Sequence, residues 1–379
     1  MTVVHLREVC LVEMGQAPPG DSYNTIGNGS PLIAGAGDFL DGRAVPKKFT
    51  TAPSKVSQPG DIVLGIRASI GERVWADREY SLGRGVAGLR PKPGLDSRYL
   101  WSWLGYASGQ LAAKGRGATF LQVNRRDIEE MLIPLPPLDE QRRIAEILDQ
   151  ADALRAKRRQ TLAHLDDLTQ SIFLDLFGDP RTWQDRWPMT TIGELAESVM
   201  YGSSSKAGSA GAWPMLRMGN VTDSGRLDLT NLKYIDLTDS EVAKYTVRRG
   251  DLLFNRTNSA EKVGKTCVVD TDASLAIAGY LIRVRLKEGN RPEFVSAYLN
   301  SGHGKAILRG MAKAIVNQAN INATEMKSIA IAQPPQERQV AFARRVHEVD
   351  ASRRRWLTNM TQLNELFASL QSRAFSGQL

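Results

Sequence analysis

Four features of the chain could carry chemistry. Gly83-Arg84-Gly85-Val86-Ala87-Gly88 has the glycine spacing of a loop that cradles a dinucleotide pyrophosphate. That chemistry needs a helix N-terminus directly after the loop, and here Leu89-Arg90-Pro91 follows instead. Gly264-Lys265-Thr266 matches the end of a phosphate-binding P-loop, but Ser259 stands where the first glycine must be. The four histidines, His5, His164, His303 and His347, keep no metal-ligand spacing with each other or with Cys10 and Cys267. The Asn/Asp-Pro-Pro-aromatic signature of amino-group methylation is missing, because Pro18-Pro19, Pro136-Pro137 and Pro334-Pro335 are each followed by a non-aromatic residue. No catalytic residue and no metal ligand is therefore expected.

What remains is a set of Arg, Lys, Asn and Gln residues in loop-like stretches. These side chains read base edges in a duplex groove and fix register on phosphates. In the N-terminal part they are Arg67 after the Gly-Asp-Ile-Val-Leu run, then Lys114, Arg116, Thr119, Gln122 and Asn124, with Lys47 and Lys48 as phosphate contacts. In the later part Arg256, Asn258, Lys262 and Lys265 follow the related Gly-Asp-Leu-Leu-Phe run. Lys206, Arg217, Asn220, Lys313, Asn317, Gln318 and Asn320 join them by composition and position.

The whole composition agrees with an anionic partner. The chain has 379 residues and a formal net charge of +8. Residues 1–135 hold 16 basic and 13 acidic groups, and residues 178–333 hold 20 and 16, so two blocks of similar size share most of the excess. Two cysteines exclude a disulfide scaffold and suit a reducing compartment, taken as the cytoplasm. No apolar run reaches the roughly 18 residues of a membrane span, so no membrane partner is expected. Arg7 and Glu8 break up the N-terminus, which does not read as a signal peptide.

The elements that would hold these loops come from a duplication. Shifted by 198 residues, 136–177 aligns with 334–375 without a gap and with eleven identities in 42 positions, among them Gln141/Gln339, Asp152/Asp350 and Arg155/Arg353. In the second copy Phe342, Val346, Val349, Arg353, Trp356, Met360, Leu363, Phe367, Leu370 and Ala374 step alternately by four and three. The first copy in register gives Ile144, Leu148, Ala151, Arg155, Arg158, Leu162, Leu165, Thr169, Ile172 and Leu176. This is the a/d seam of a coiled coil, with an arginine at the same seam position in both copies. The Pro-Pro pairs open each helix, and Gly178 and Gly377 close them, giving helices of roughly 39 residues and ~58 Å at the standard rise.

The predicted fold is mixed α+β: two pseudo-repeated globular domains (1–135 and 179–333), separated by long helices (136–178 and 334–379) that form an antiparallel coiled coil. Helical stretches are expected at Tyr99–Ala113 and Glu293–Lys313, and strands around VLGIRASI and GYLIRVRL. Two blocks on a rod could instead make a protein-binding adaptor; the positive excess in the blocks argues for DNA half-sites, ~34 Å apart when one turn separates them.

The stretch IPLPPLDEQRRIAEILDQADALRAKRRQTLAHLDDLTQSIFLDLFGDP resembles the central conserved region of the specificity subunit of type I restriction-modification systems. VRRGDLLFNRTNSAEKVGK and the C-terminal PPQERQVAFARRV…SRAFSGQL resemble that family's second target-recognition domain and distal conserved region. The resemblance implies a non-catalytic subunit whose two target-recognition domains read the halves of a bipartite site in double-stranded DNA. It implies two methyltransferase subunits that carry S-adenosylmethionine and modify adenine, and restriction subunits that use ATP and Mg. Within it, the docking residues for the methyltransferase are expected at the helix starts: Pro136, Pro137, Glu140, Gln141 and Arg142, with Pro334, Pro335, Glu337 and Gln339.

Overall fold

The computed structural model describes residues 2–40, 42–117, 120–259, 261–315 and 318–379, with the side chains of 313–318 left aside. Contacts divide the chain into two compact units, Met1–Arg158 with Asn359–Leu379, and Arg159–Thr358. The first long helix, Leu138–Phe177, contributes to both units, as does the second, Gln336–Ser376. Each starts one residue after its proline pair. Each stops at a glycine in the left-handed region, Gly178 at φ 70° and Gly377 at φ 78°, a conformation that a Cβ would strain.

In the first unit an antiparallel sheet runs in the order Cys10–Met14, Val86–Pro91, Ile62–Gly65, Arg73–Trp75, Arg43–Ala44 and Phe39–Leu40, the last three joined by one parallel pairing. In the second unit Ala196–Tyr201, Leu281–Leu286, Leu252–Asn255 and Thr266–Val268 follow the same order. Both third strands follow the Gly-Asp turn. Asp61 accepts from the Gln58 amide and pairs two-pronged with Arg90, and Asp251 does the same with the Arg248 amide and Arg285. A nearly buried carboxylate is tolerated because turn amide and guanidinium together satisfy it.

The two stretches expected as single helices are each broken in two. Ser97–Tyr106 gives way to Ser108–Ala113 at Ala107, and Pro292–Asn300 gives way to Gly302–Met311 at Ser301. Ser301 accepts from the Gly304 amide and so caps the second piece while ending the first. Of the first expected strand region only Val63–Gly65, within the strand Ile62–Gly65, is strand, and of the second Leu281–Leu286.

Within each unit the long helices run antiparallel. In the first, Ile144 and Leu148 are buried beside Ala374 and Phe375, with Phe367 and Leu370 packed on the same cluster. Phe375 stands edge-on to Tyr99 and tilted against Tyr106. In the second, Phe342 meets Phe173 and Phe177 at 5.8 and 5.5 Å, and Ile172 and Val346 pack on that cluster. Val349 and Met360 are buried, and Leu162, Leu165 and Leu363 half-buried. Phe173 and Phe177 lie one residue beyond the expected a/d positions Ile172 and Leu176, and they are wholly buried. The helix ends widen their apolar face by one position because a globular block covers that side too.

The seam arginines have different partners. Arg155 lies over the Phe367 ring at 4.2 Å and donates to Asn364 Oδ1 and Asp152 Oδ1 at 2.9 and 2.7 Å. Arg353 donates to Asp166 Oδ1 at 2.9 Å. Position 166 is the duplicate of 364, so the first copy carries a carboxylate where the second carries an amide. Arg226, from the second block, fills the difference, donating to Asp166 at 2.6 Å and Asp350 at 2.9 Å with only 16% of its side chain exposed.

Candidate nucleic-acid interface

Both blocks place an arginine where the third strand leaves the sheet, but at different positions. The Ile66 amide donates to the Gly85 carbonyl and its carbonyl accepts from the Val123 amide; Arg256 does the same with Tyr280 and Ile321. Arg256 is thus the structural counterpart of the buried Ile66, and Arg67 is the counterpart of Thr257. The two arginines differ accordingly.

In the first block Arg67 and Arg116 each bridge to Gln122 through the backbone. The Arg67 guanidinium sits 5.5 Å from the Phe120 ring centroid. Ala68 takes φ 60°, unusual for a residue with a Cβ, and its amide donates to the Leu121 carbonyl. Arg116 is 75% exposed and touches Asp127 only at 3.4 Å, whereas Lys114 donates to the Asp127 carbonyl at 3.1 Å. Asn124 caps the helix Arg125–Glu129: its side chain accepts from the Asp127 amide, and Asp127 returns the bond. That side chain serves local structure. Lys47 and Lys48 are exposed, Lys48 on the strand Lys48–Thr50. Thr119 lies outside the described residues.

In the second block Arg256 is half-buried. Its guanidinium lies 4.8 Å from the Tyr201 ring centroid and donates to Gly279 O at 3.4 Å and Asn320 Oδ1 at 3.2 Å. Its Nε is buried with no hydrogen-bond partner among the described residues. Asn320 Nδ2 donates to Thr257 Oγ1, so Arg256, Asn320 and Thr257 form one chain of contacts with Asn258 next in sequence. Lys262 and Lys206 are exposed. Lys265 pairs closely with Asp223, and that contact holds the Asp223 carboxyl below its usual range. Its charge is met inside the chain. Asn220 is buried, with its side chain spent on the Arg217 amide and on carbonyls of Asp228 and Asn231. Arg217 donates to the Asn231 carbonyl. Lys313 and Gln318 lie on the paired strands Lys313–Ile315 and Gln318–Asn320; Asn317 lies outside the described residues.

The helix starts repeat one geometry. Gln141 Nε2 donates to Pro136 O and Gly94 O at 2.9 and 3.0 Å, and its Oε1 accepts from the Asp96 amide at 2.8 Å. Gln339 Nε2 donates to Pro334 O and its Oε1 accepts from the Arg291 amide, both at 3.0 Å. Asp96 and Arg291 are the N-cap residues of Ser97–Tyr106 and Pro292–Asn300. Both glutamines are wholly or nearly buried, so they tie each long helix to its own block rather than face a partner. Pro136 and Pro334 are buried too, while Pro137, Pro335, Arg142 and Glu337 are exposed and Glu140 is half-exposed, pairing with Arg143. Pro136, Pro137 and Glu140 line a hollow in the first unit; Gln336, Glu337 and Val340 line one in the second.

Among the described residues no group of His, Cys, Asp and Glu could hold a metal, and no helix is long and apolar enough to cross a membrane. Both cysteines are buried, and burial pushes the Cys10 thiol up to about 12.

Residues 1–164 match the family described as "Type I restriction modification DNA specificity domain". The type I restriction enzyme EcoKI specificity subunit of Escherichia coli K12 is 26% identical over 95% of this chain and 83% of its own length. The putative MjaX specificity subunit of Methanocaldococcus jannaschii is 34% identical over 160 residues, 42% of this chain and 38% of that protein. A chain of a solved type I restriction-modification assembly has the same fold, with a TM-score of 0.61 at 20% identity over 100% of this chain and 98% of that one. The crystal structure of a specificity subunit from M. genitalium gives 0.54 at 15% identity, covering 99% and 96%. Residues 1–164 thus carry the type I restriction-modification DNA specificity domain, and the chain over nearly its whole length is similar to type I restriction enzyme specificity subunits.

Proposed function

We propose that the chain is the non-catalytic subunit that gives a type I restriction-modification complex its DNA specificity. Residues 1–135 and 179–333 are the two target-recognition domains, each binding one half of an asymmetric bipartite site. The helices at 136–178 and 334–379 set the spacer and dock two methyltransferase subunits, which bring S-adenosylmethionine and modify adenine. Restriction subunits, with ATP and Mg, complete the assembly in the cytoplasm. The observation that carries this reading is the repetition of one plan with different loops. The sheet order, the Gly-Asp turn and the buried glutamine recur, while the exits of the third strands carry Ile66-Arg67 in one block and Arg256-Thr257 in the other. A shared frame with divergent polar loops suits two different half-sites.

Arg67, Arg116 and Gln122 form the reading edge of the first domain, and Arg256, Asn258 and Asn320 that of the second. Lys47, Lys48, Lys206 and Lys262 supply phosphate contacts. The exposed Pro137, Arg142, Pro335 and Glu337 face the methyltransferase. Mapping adenine methylation in the host with and without this gene tests the reading: one split motif should vanish on deletion. An unchanged methylome would refute it.

A further inference from the structure

Phe120 and Leu121 are consecutive, large and apolar, yet 56% and 49% exposed. Single exposed apolar residues are ordinary, but an adjacent pair on a loop tip is less so. This pair is flanked by cations, with Arg67 over the Phe120 ring and Arg116 on the adjoining bridge to Gln122. Leu121 and Gly117 also have defined backbone settings. Leu121 O accepts from Ala68, whose φ of 60° bends the chain to meet it. Gly117 has φ 141°, and a Cβ there would stand 2.2 Å from Phe120 O, so the approach requires glycine. Two exposed apolar side chains, one of them beneath the Arg67 guanidinium and close in sequence to the exposed Arg116, match a ligand with an anionic rim and a stacked apolar interior. Duplex DNA is that ligand: phosphates take the arginines, and an aromatic or aliphatic wedge enters between base pairs, unstacking them.

We propose that the Phe120–Leu121 tip inserts at a base step of the half-site bound by the first domain, so that part of its specificity comes from how easily that step unstacks. The proposal rests on the DNA-binding reading above. Flexible pyrimidine–purine steps would be favoured at that position without any base contact.

The test uses the full chain with duplexes it selects from a randomised pool, each carrying 2-aminopurine at one adenine of the first half-site in turn. The wild-type chain should raise the fluorescence at one step. Phe120→Ser and Leu121→Ser should abolish the rise and weaken binding by about tenfold to a hundredfold. Phe120→Trp should keep both. Fluorescence that never rises, with variants binding as tightly as wild type, overturns the wedge while leaving DNA recognition intact. Variants that keep DNA binding and distortion but no longer co-purify with a methyltransferase subunit also overturn it, assigning the tip to a protein partner. A wild-type chain that selects no duplex refutes the DNA-binding reading and the wedge with it.

Discussion

Gln141→Leu separates two roles that this glutamine could have. Leucine has nearly the same volume, so little cavity is left, but three hydrogen bonds are lost: those to Pro136 O, to Gly94 O and from the Asp96 amide. At roughly 0.5–1.5 kcal/mol each, the change destabilises the first unit by ~2–4 kcal/mol. The upper end is favoured because Gln141 is fully buried and its former partners lose a ready replacement. For a unit of this size that lowers Tm by about 5–15 °C. Gln339→Leu loses only two such bonds, to Pro334 O and from the Arg291 amide, and should cost ~1–3 kcal/mol. Urea unfolding followed by hydrogen exchange at Asp96 and Arg291 measures both, since those amides become exchange-competent when the bond is gone. A Gln141→Leu chain as stable as wild type but unable to assemble with methyltransferase subunits would refute the structural role and restore the interface role expected from the sequence.

Arg226→Met leaves Asp166 with Arg353 alone and takes the guanidinium from Asp350, and should cost ~1–3 kcal/mol in urea unfolding at low salt, since these groups are partly screened. Adding Asp166→Asn, which reproduces the amide of position 364, should recover much of that loss, and strict additivity of the two changes would refute the coupling. Burial pushes the Tyr298 phenol up to about 12, and its hydroxyl donates to Ala330 O at 2.9 Å. Because the folded value lies above the ordinary one, its stabilisation is whole below pH ~10 and is lost as pH rises toward 12. Tyr298→Phe should therefore flatten the alkaline fall in stability, measured by unfolding at pH 8 and 11.

The helices were readable because a 3.5-residue period is a local signal that survives forty residues, and the glycine stops follow from backbone sterics. Their inner ends were read too narrowly: Phe173 and Phe177 sit off the a/d positions, and only contact with a second surface gives them a reason to be buried. The identity of Gln141 and Gln339 was visible, but repetition alone does not distinguish a shared partner from a shared bond inside the chain. Aligning Arg67 with Arg256 by residue type failed by one position: counting from the Gly-Asp turn already matches Arg256 with Ile66, and the hydrogen bonds to Gly85 and Tyr280 agree. Asn124 and Asn220 looked like base readers because amides serve base edges and backbone caps equally well. Arg226 gave no signal at all, as its partners lie 60 and 124 residues away.

The division of the chain into units has a consequence for synthesis on the ribosome. The second unit is one continuous stretch, Arg159–Thr358, and everything it needs has been made once that stretch emerges. The first is not: the aromatic side chain that covers Tyr99 and Tyr106 belongs to Phe375. At typical elongation rates, roughly 10–40 s separate Arg158 from the residues that close its unit. During that interval the domain translated first waits with part of its core open, so the domain translated second can finish before it, and chaperone demand should fall on the N-terminal half.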